Sequence, residues 1–396
     1  MLASMRRAAL SSLAPAAGAA GNGARRSMTV SAKTLKYTAR SRPGETLNFS
    51  VEDQTLPPPS SKQALVRFLA AAISPSDYRV MMASSEPSKG VGVREVSQRF
   101  AKAQAVTPVD PLAGALNSLP SLPAVGGLEG VAVVESAGPG SSLKVGDWVI
   151  PAPGVGSWTT HAVVDEALLT PVPSNIPCEY AAVLGIAPAT AYRLLADFAS
   201  LKAGDTVVLN GANTLTGQAL IQLAASRGIK TVAVLLQTPS FSDISSHLKA
   251  IGATVVIADH AVKLFQMKEL MSELAPPMLA LDGMGGESAR ALSRLLAKGG
   301  TMVCHGDVDL SGKDAAGEDF MIPAEKGVVV KRFYLSEWAG AASAADKAKM
   351  MSELAGLVAA GKMSLLLERM SFTNHQLALR KGWEMMRDRR LVMTFD

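Results

Sequence analysis

The chain has 396 residues, 48% hydrophobic, 18% charged and 5% aromatic, which is long enough for two domains and too apolar for an intrinsically disordered protein. Its two cysteines, Cys178 and Cys304, belong to no Cys-x-x-Cys or Cys/His cluster; both are read as free thiols, which argues against a zinc site or a disulfide scaffold. Of the net charge of +5, four charges belong to Arg6, Arg7, Arg25 and Arg26, and the first acid of the chain is Glu45, so the basic balance points to a leader and not to a nucleic-acid surface.

Residues 1–27 are rich in Ala and Ser, carry arginines without acids and lack a long apolar core, the composition of a mitochondrial transit peptide. A plastid address or a disordered tail is the alternative. No later apolar run reaches the roughly 18 to 20 residues of a membrane span.

Residues 28–177 read as a β-rich domain. Alternating runs such as Gln63–Leu69 and Gly130–Glu135 are broken by Pro57-Pro58-Pro59, Gly138-Pro139-Gly140 and Val145-Gly146-Asp147. A polar, turn-rich segment, 84–122, with an amphipathic stretch from Arg94 to Ala105, interrupts this domain. It is either an inert surface insertion or a lid or docking element. From 178 to 325 the rhythm changes to strand and helix in alternation: strands at Asp205–Asn210, Lys230–Leu236, Ala253–Ala258, Met278–Asp282 and Gly300–Cys304, with helices such as Gln218–Arg227 and Glu287–Lys298. That alternation predicts an α/β fold with a doubly wound parallel sheet. Residues 326–396 are expected to return to the first domain, ending in the strand-like Arg390–Phe395.

The segment Asn210-Gly-Ala-Asn-Thr-Leu-Thr-Gly217 opens the first βαβ unit. Backbone N–H groups and a helix N-terminus there suit a pyrophosphate, with Asn213, Thr214, Thr216 and Gly217 as cofactor-binding candidates. A tight strand-to-helix turn without a ligand is the bland alternative. Leu215 stands where a small residue is wanted and is expected to crowd the phosphates. The second strand ends in Leu236-Gln237-Thr238, with neither an acid for a free ribose hydroxyl nor an arginine for a 2′-phosphate. His161, His247, His260 and His375 show no metal-ligand spacing, Trp148 and Trp158 read as core, and the methionines read as filler.

Taken together, Leu128-Glu129-Gly130-Val131-Ala132, Gly146-Asp147-Trp148-Val149-Ile150-Pro151, Gly156-Ser157-Trp158, Leu184-Gly185, Pro188, Thr190-Ala191-Tyr192-Arg193, Gly217-Gln218-Ala219 and Gly299-Gly300-Thr301-Met302-Val303 closely resemble the mitochondrial trans-2-enoyl-thioester reductases of the medium-chain dehydrogenase/reductase superfamily. The resemblance implies a GroES-like N-terminal domain beside a Rossmann domain. It also implies an NADPH-dependent homodimer of the mitochondrial matrix that reduces 2-enoyl-CoA or 2-enoyl-ACP in fatty-acid synthesis. Gly127-Leu128-Glu129 lacks the histidine of the zinc-dependent branch, so no metal is expected.

In that family hydride adds to the β-carbon of the thioester, and a tyrosine a short way beyond a Pro-Ser-Asp motif meets the enolate oxygen or protonates the α-carbon. Here Pro75-Ser76-Asp77 is present, but the corresponding place holds Ser85-Glu86, which leaves Tyr78 as the catalytic candidate. The resemblance adds His305, Gly306, Phe333, Leu335, Ser336 and Arg390 to the cofactor set. It also shows departures: Ala187 for the family asparagine, Leu236-Gln237-Thr238 for Arg-Asp-Arg, and Leu215 for a small residue. Losing two charge-assisted phosphate contacts, at about 1.5 to 3 kcal/mol each, would weaken NADPH by very roughly 10² to 10⁴-fold. The alternative reading is therefore a catalytically inactive, repurposed member serving as a structural or assembly subunit of a mitochondrial protein complex.

Overall fold

The computed structural model describes residues 29–40, 48–82, 120–263, 266–305, 327–382 and 389–395. The leader 1–27, Ser85, Glu86, the rest of the insertion as far as 119, and Gly306 lie outside the described residues.

The N-terminal part is built on antiparallel strands. β1 (Val30–Tyr37) pairs with β2 (Phe49–Leu56), and β3 (Gln63–Ile73) leads into α1 (Pro75–Met82). Pro75 suits the first turn of α1, where its missing N–H has no partner to lose. β4 (Ala124–Val125) closes on β1, and β5 (Gly130–Ala137), β6 (Trp148–Pro151), β7 (His161–Asp165) and β8 (Leu169–Val172) follow. β3 is central and alternates as its pleat requires: Ala70 and Ala72 enter the main core, Ala71 and Ile73 a second one. That second core holds Trp158, fully buried, whose Nε1 donates to the Ala72 carbonyl at 3.0 Å. Gly126 and Gly127 lie on the indole so closely that a Cβ at Gly126 would stand 2.3 Å from Trp158 Cε3.

Helices α2 (Cys178–Leu184) and α3 (Ala187–Asp197) carry the chain to the second sheet. There β9 (Thr206–Leu209), α4 (Leu215–Ser226), β10 (Lys230–Leu235), α5 (Phe241–Ala250), β11 (Val255–Ala258), α6 (Gln266–Ser272), β12 (Leu279–Asp282), α7 (Gly286–Leu295), β13 (Thr301–His305) and β14 (Val329–Phe333) alternate. The strands lie in the order β11-β10-β9-β12-β13-β14, all parallel. Val207 and Leu209 face the main core and Val208 the core on the other side, so the sheet is covered on both faces and its strands read as unbroken apolar runs. Helix α4 packs against α3 and β10, and Leu215 through Ala224 are all buried. Each fully buried leucine here, Leu209 and Leu220 among them, contributes about 1.5 to 3 kcal/mol.

After α8 (Leu335–Ala341) and α9 (Ala344–Ala359), β15 (Leu367–Ser371), α10 (His375–Gly382) and β16 (Arg390–Thr394) rejoin the first sheet. β16 pairs antiparallel with β3 and parallel with β15, giving the order β15-β16-β3-β5-β6-β8, with β7 also on β3. The fold class is the expected one, a β-rich GroES-like domain and a doubly wound parallel sheet. One expectation needs correcting. The parallel sheet continues past residue 325 through β14, because Val329 and Val330 extend the ladder beside β13 and do not begin the return to the first domain. Both cysteines are free, Cys304 buried and Cys178 half-buried. Among the described residues no helix is long and apolar enough to cross a membrane.

Candidate functional site

The strand order reverses direction between β9 and β12, so the loops after these two strands face each other at the carboxyl edge of the sheet, where open α/β sheets hold ligands. The loop after β9 turns at Gly211, whose φ of +57° only glycine adopts without strain. Thr214 caps α4: its Oγ1 accepts from Gly217 N at 3.1 Å and donates to Gly211 O at 2.8 Å. That hydroxyl is committed to the loop's own shape, so Thr214 builds the turn and its proton is directed at a carbonyl, not at a phosphate. Gly217 is required by packing, since a Cβ there would lie 2.5 Å from Ala212 Cα. The backbone N–H groups of Leu215 and Thr216 begin the helix without intrahelical acceptors and sit at its positive end. The expectation that Leu215 crowds the phosphates is corrected: its side chain is 4% exposed and belongs to the main core. Thr216 is also buried, while Asn213 is half-buried at the loop surface.

Across the crevice, Asn210 joins the two loops. Its Nδ2 donates to Asp282 Oδ1 at 2.6 Å and to Ser288 Oγ at 3.0 Å, and its Oδ1 accepts from Gly283 N at 2.7 Å. Asp282 Oδ1 also accepts from Met284 N at 3.1 Å and Gly285 N at 3.0 Å. Met284 covers the turn, its Sδ 3.2 Å from where a Cβ on Gly211 would be. Next to this turn, His305 packs its ring on Gly283, and burial holds its imidazolium pKa well below the ordinary value against the opposing pull of Asp282. The ring is therefore neutral near pH 7 and offers a hydrogen bond without a charge. The Cys304 thiol is pushed up by burial and by Asp282, and is no nucleophile.

On the barrel side, Asp77 is buried and accepts from Ser74 N and Ser74 Oγ, both at 2.7 Å, and from Leu128 N at 2.8 Å. Burial pushes its carboxyl up to about 6, while the Ser74 and Leu128 hydrogen bonds and Arg390 oppose the rise. Asp77 thus fastens α1 to the Gly127–Glu129 segment. Tyr78 is the next residue on α1, half-buried. Arg390, the candidate expected at the cofactor, lies near Glu129, Nη1 to Oε1 at 3.7 Å, with side chains 17% and 4% exposed. Its neighbour Arg389 is exposed and lines a cavity of about 230 Å³ with Asn213, Gln218, Asp243, His247 and Leu366. Gln218 ties this region together, donating to Asn213 O at 2.8 Å and accepting from Leu366 N at 3.2 Å.

Three further candidates, Phe333, Leu335 and Ser336, lie at the end of β14 and the start of α8. Phe333 packs edge-on against Phe198 at 5.7 Å and Leu335 is buried in the main core, so only their backbones remain available. Ser336 Oγ is buried without a hydrogen-bond partner among the described residues. Ala187 opens α3 inside the core and supplies no polar group. A larger cavity, about 390 Å³, opens among α3, α8 and α9 and includes no residue of either loop. Among the described residues no group of three or more His, Cys, Asp or Glu could hold a metal ion. Sequence reading missed Arg389, Asn210 and Asp282. The signal for the last two was a polar residue closing each of two apolar strand runs, Val-Val-Leu-Asn210 and Leu-Ala-Leu-Asp282.

Residues 60–174 match the alcohol dehydrogenase GroES-like domain. The chain is 40% identical to the mitochondrial enoyl-[acyl-carrier-protein] reductase of Homo sapiens over 258 residues, covering 65% of this chain and 68% of that protein. It is 30% identical to the Dictyostelium discoideum protein of the same name over 368 residues, 91% and 94% of the two chains. In three dimensions it is similar to a mutant enoyl thioester reductase from Candida tropicalis, with TM-score 0.72 and 20% identity over 92% of this chain and 100% of that one. The complex of Etr1p with NADP and crotonyl-CoA gives the same TM-score, identity and coverage.

Proposed function

Because the chain belongs to the mitochondrial enoyl-[acyl-carrier-protein] reductases of the medium-chain dehydrogenase/reductase superfamily, we propose that it reduces the 2,3 double bond of a trans-2-enoyl thioester, on CoA or acyl carrier protein, with NADPH. The observation that carries this reading is the phosphate cradle at the strand reversal: Gly211, Gly217 and the start of α4 on one side, with exposed Arg389 beside Asn213. These residues fit a dinucleotide. When bound, the reduced nicotinamide supplies a hydride to the β-carbon. The Leu215 and Thr216 N–H groups and Arg389 would hold its phosphates, Gly283 and His305 would line the facing turn, and the chain would supply the proton for the α-carbon. Tyr78 is the candidate proton donor, and a water the substitute. Gln237 and Thr238 at the end of β10 bring no charge to a 2′-phosphate, so any preference for NADPH falls to Arg389.

The relatives' names and the acid-free Arg/Ser/Ala leader support a mitochondrial address, which we place in the matrix. A homodimer is proposed through β14, the exposed edge of the parallel sheet. Calorimetric titration with NADPH and NADH tests the reading first, with micromolar binding expected. Tyr78→Phe should then lower turnover without changing cofactor affinity; absence of dinucleotide binding at millimolar concentration would overturn the proposal.

A further inference from the structure

We propose that Asp282 is a positioning residue for the cofactor: through Asn210 it joins the loop after β9 to the turn after β12 and so holds the phosphate-facing start of α4 in place. The inference rests on the functional reading above. Asn210, Asp282 and Ser288 are 3%, 0% and 6% exposed, so their hydrogen bonds face no competition from water. One oxygen, Asp282 Oδ1, gathers three donors, from Asn210 Nδ2, Met284 N and Gly285 N. Asn210 returns the contact by accepting from Gly283 N, and its own N–H donates to Leu281 O at 3.2 Å. Both arms of the Asn210 amide are thus spent on the β12 side, one residue before Gly211 turns the chain toward the phosphates. The same turn carries Met284 over Gly211, so a shift of residues 283–285 would be felt at the cradle.

The chemistry of the arrangement specifies an oxygen acceptor at position 282, not a negative charge. An amide oxygen in the place of Oδ1 accepts the same three donors, whereas a methyl group accepts none. Asp282→Asn is accordingly expected to keep what Asp282→Ala loses.

The test uses the full chain and whichever dinucleotide wild type binds, with Kd from calorimetry and KM and kcat from steady-state reduction of a trans-2-enoyl-CoA. Asp282→Ala and Asn210→Ala should raise the dinucleotide Kd and KM about tenfold, leaving KM for the enoyl-CoA unchanged. Asp282→Asn should restore both to within about threefold. A folded Asp282→Ala that binds as wild type does would overturn the inference, as would an Asp282→Asn as weak as the alanine variant. Should Asp282→Ala fail to fold, Asn210→Ala and Asp282→Asn decide alone. A wild type that binds neither dinucleotide overturns the functional reading itself and is thereby distinguished from failure of the inference.

Discussion

Arg390 and Arg389 point to different partners: the first lies 3.7 Å from the Glu129 carboxylate, and the second lines the cavity beside Asn213. The two arginines should therefore fail differently. Arg389→Ala should weaken dinucleotide binding about 10- to 100-fold, more at low salt than at high, because a charge-assisted phosphate contact is lost. Arg390→Ala should leave that affinity near wild type and cost about 1 to 3 kcal/mol of stability, since Glu129 is nearly buried but the ion pair is loose. Calorimetry and denaturant titration of both variants check this.

Asp77 gives the protein a pH dependence of unusual sign. Its folded pKa of about 6 lies above the ordinary aspartate value of 3.8, so between those values the folded state binds the proton more tightly than the unfolded one. The contribution of this group to stability is fully present below about pH 4 and is lost as pH rises through 6, on the order of 1 to 3 kcal/mol. Asp77→Asn should flatten that part of the stability profile. It should also cost about 1 to 3 kcal/mol at low pH, where an amide N–H would meet Leu128 N–H. Urea midpoints across pH 4 to 7 measure both effects.

Gly217→Val should abolish dinucleotide binding and lower the melting temperature, because the new side chain would have to displace the Ala212 backbone. The stability cost should be about 1 to 3 kcal/mol. Thermal unfolding with and without cofactor separates the two effects: wild type gains stability from the ligand and the variant gains none.

β14 ends the parallel sheet with Val329 49% and Val330 39% exposed, an edge that would pair with a second copy. Val330→Glu should shift the protein from dimer to monomer in sedimentation while its far-ultraviolet circular dichroism is unchanged. A wild type that sediments as a monomer would overturn the dimer.

Much of the architecture was legible because its physics is local. The apolar runs Val207–Leu209 and Leu279–Leu281 are buried on both faces, and the Asn-Gly-Ala-Asn-Thr loop between β9 and α4 follows its strand at once. What escaped was register and long-range pairing. Adjacent residues of an extended segment point to opposite sides, so Arg389 and Arg390 reach different surroundings, which the sequence alone does not assign. Asn210 and Asp282 are 72 residues apart and meet only once the sheet forms. Phe333 and Leu335 look like contacts in the sequence, yet their side chains are spent on the core.

The most direct test follows the hydrogen. The full chain is incubated with NADPH deuterated at the transferable C4 position and a trans-2-enoyl-CoA, and the product is read by mass spectrometry. The expected product is a saturated acyl-CoA carrying one deuterium on the β-carbon and a solvent hydrogen on the α-carbon. No saturated product from the folded protein, with NADPH or NADH and with CoA or acyl-carrier-protein thioesters alike, would contradict it.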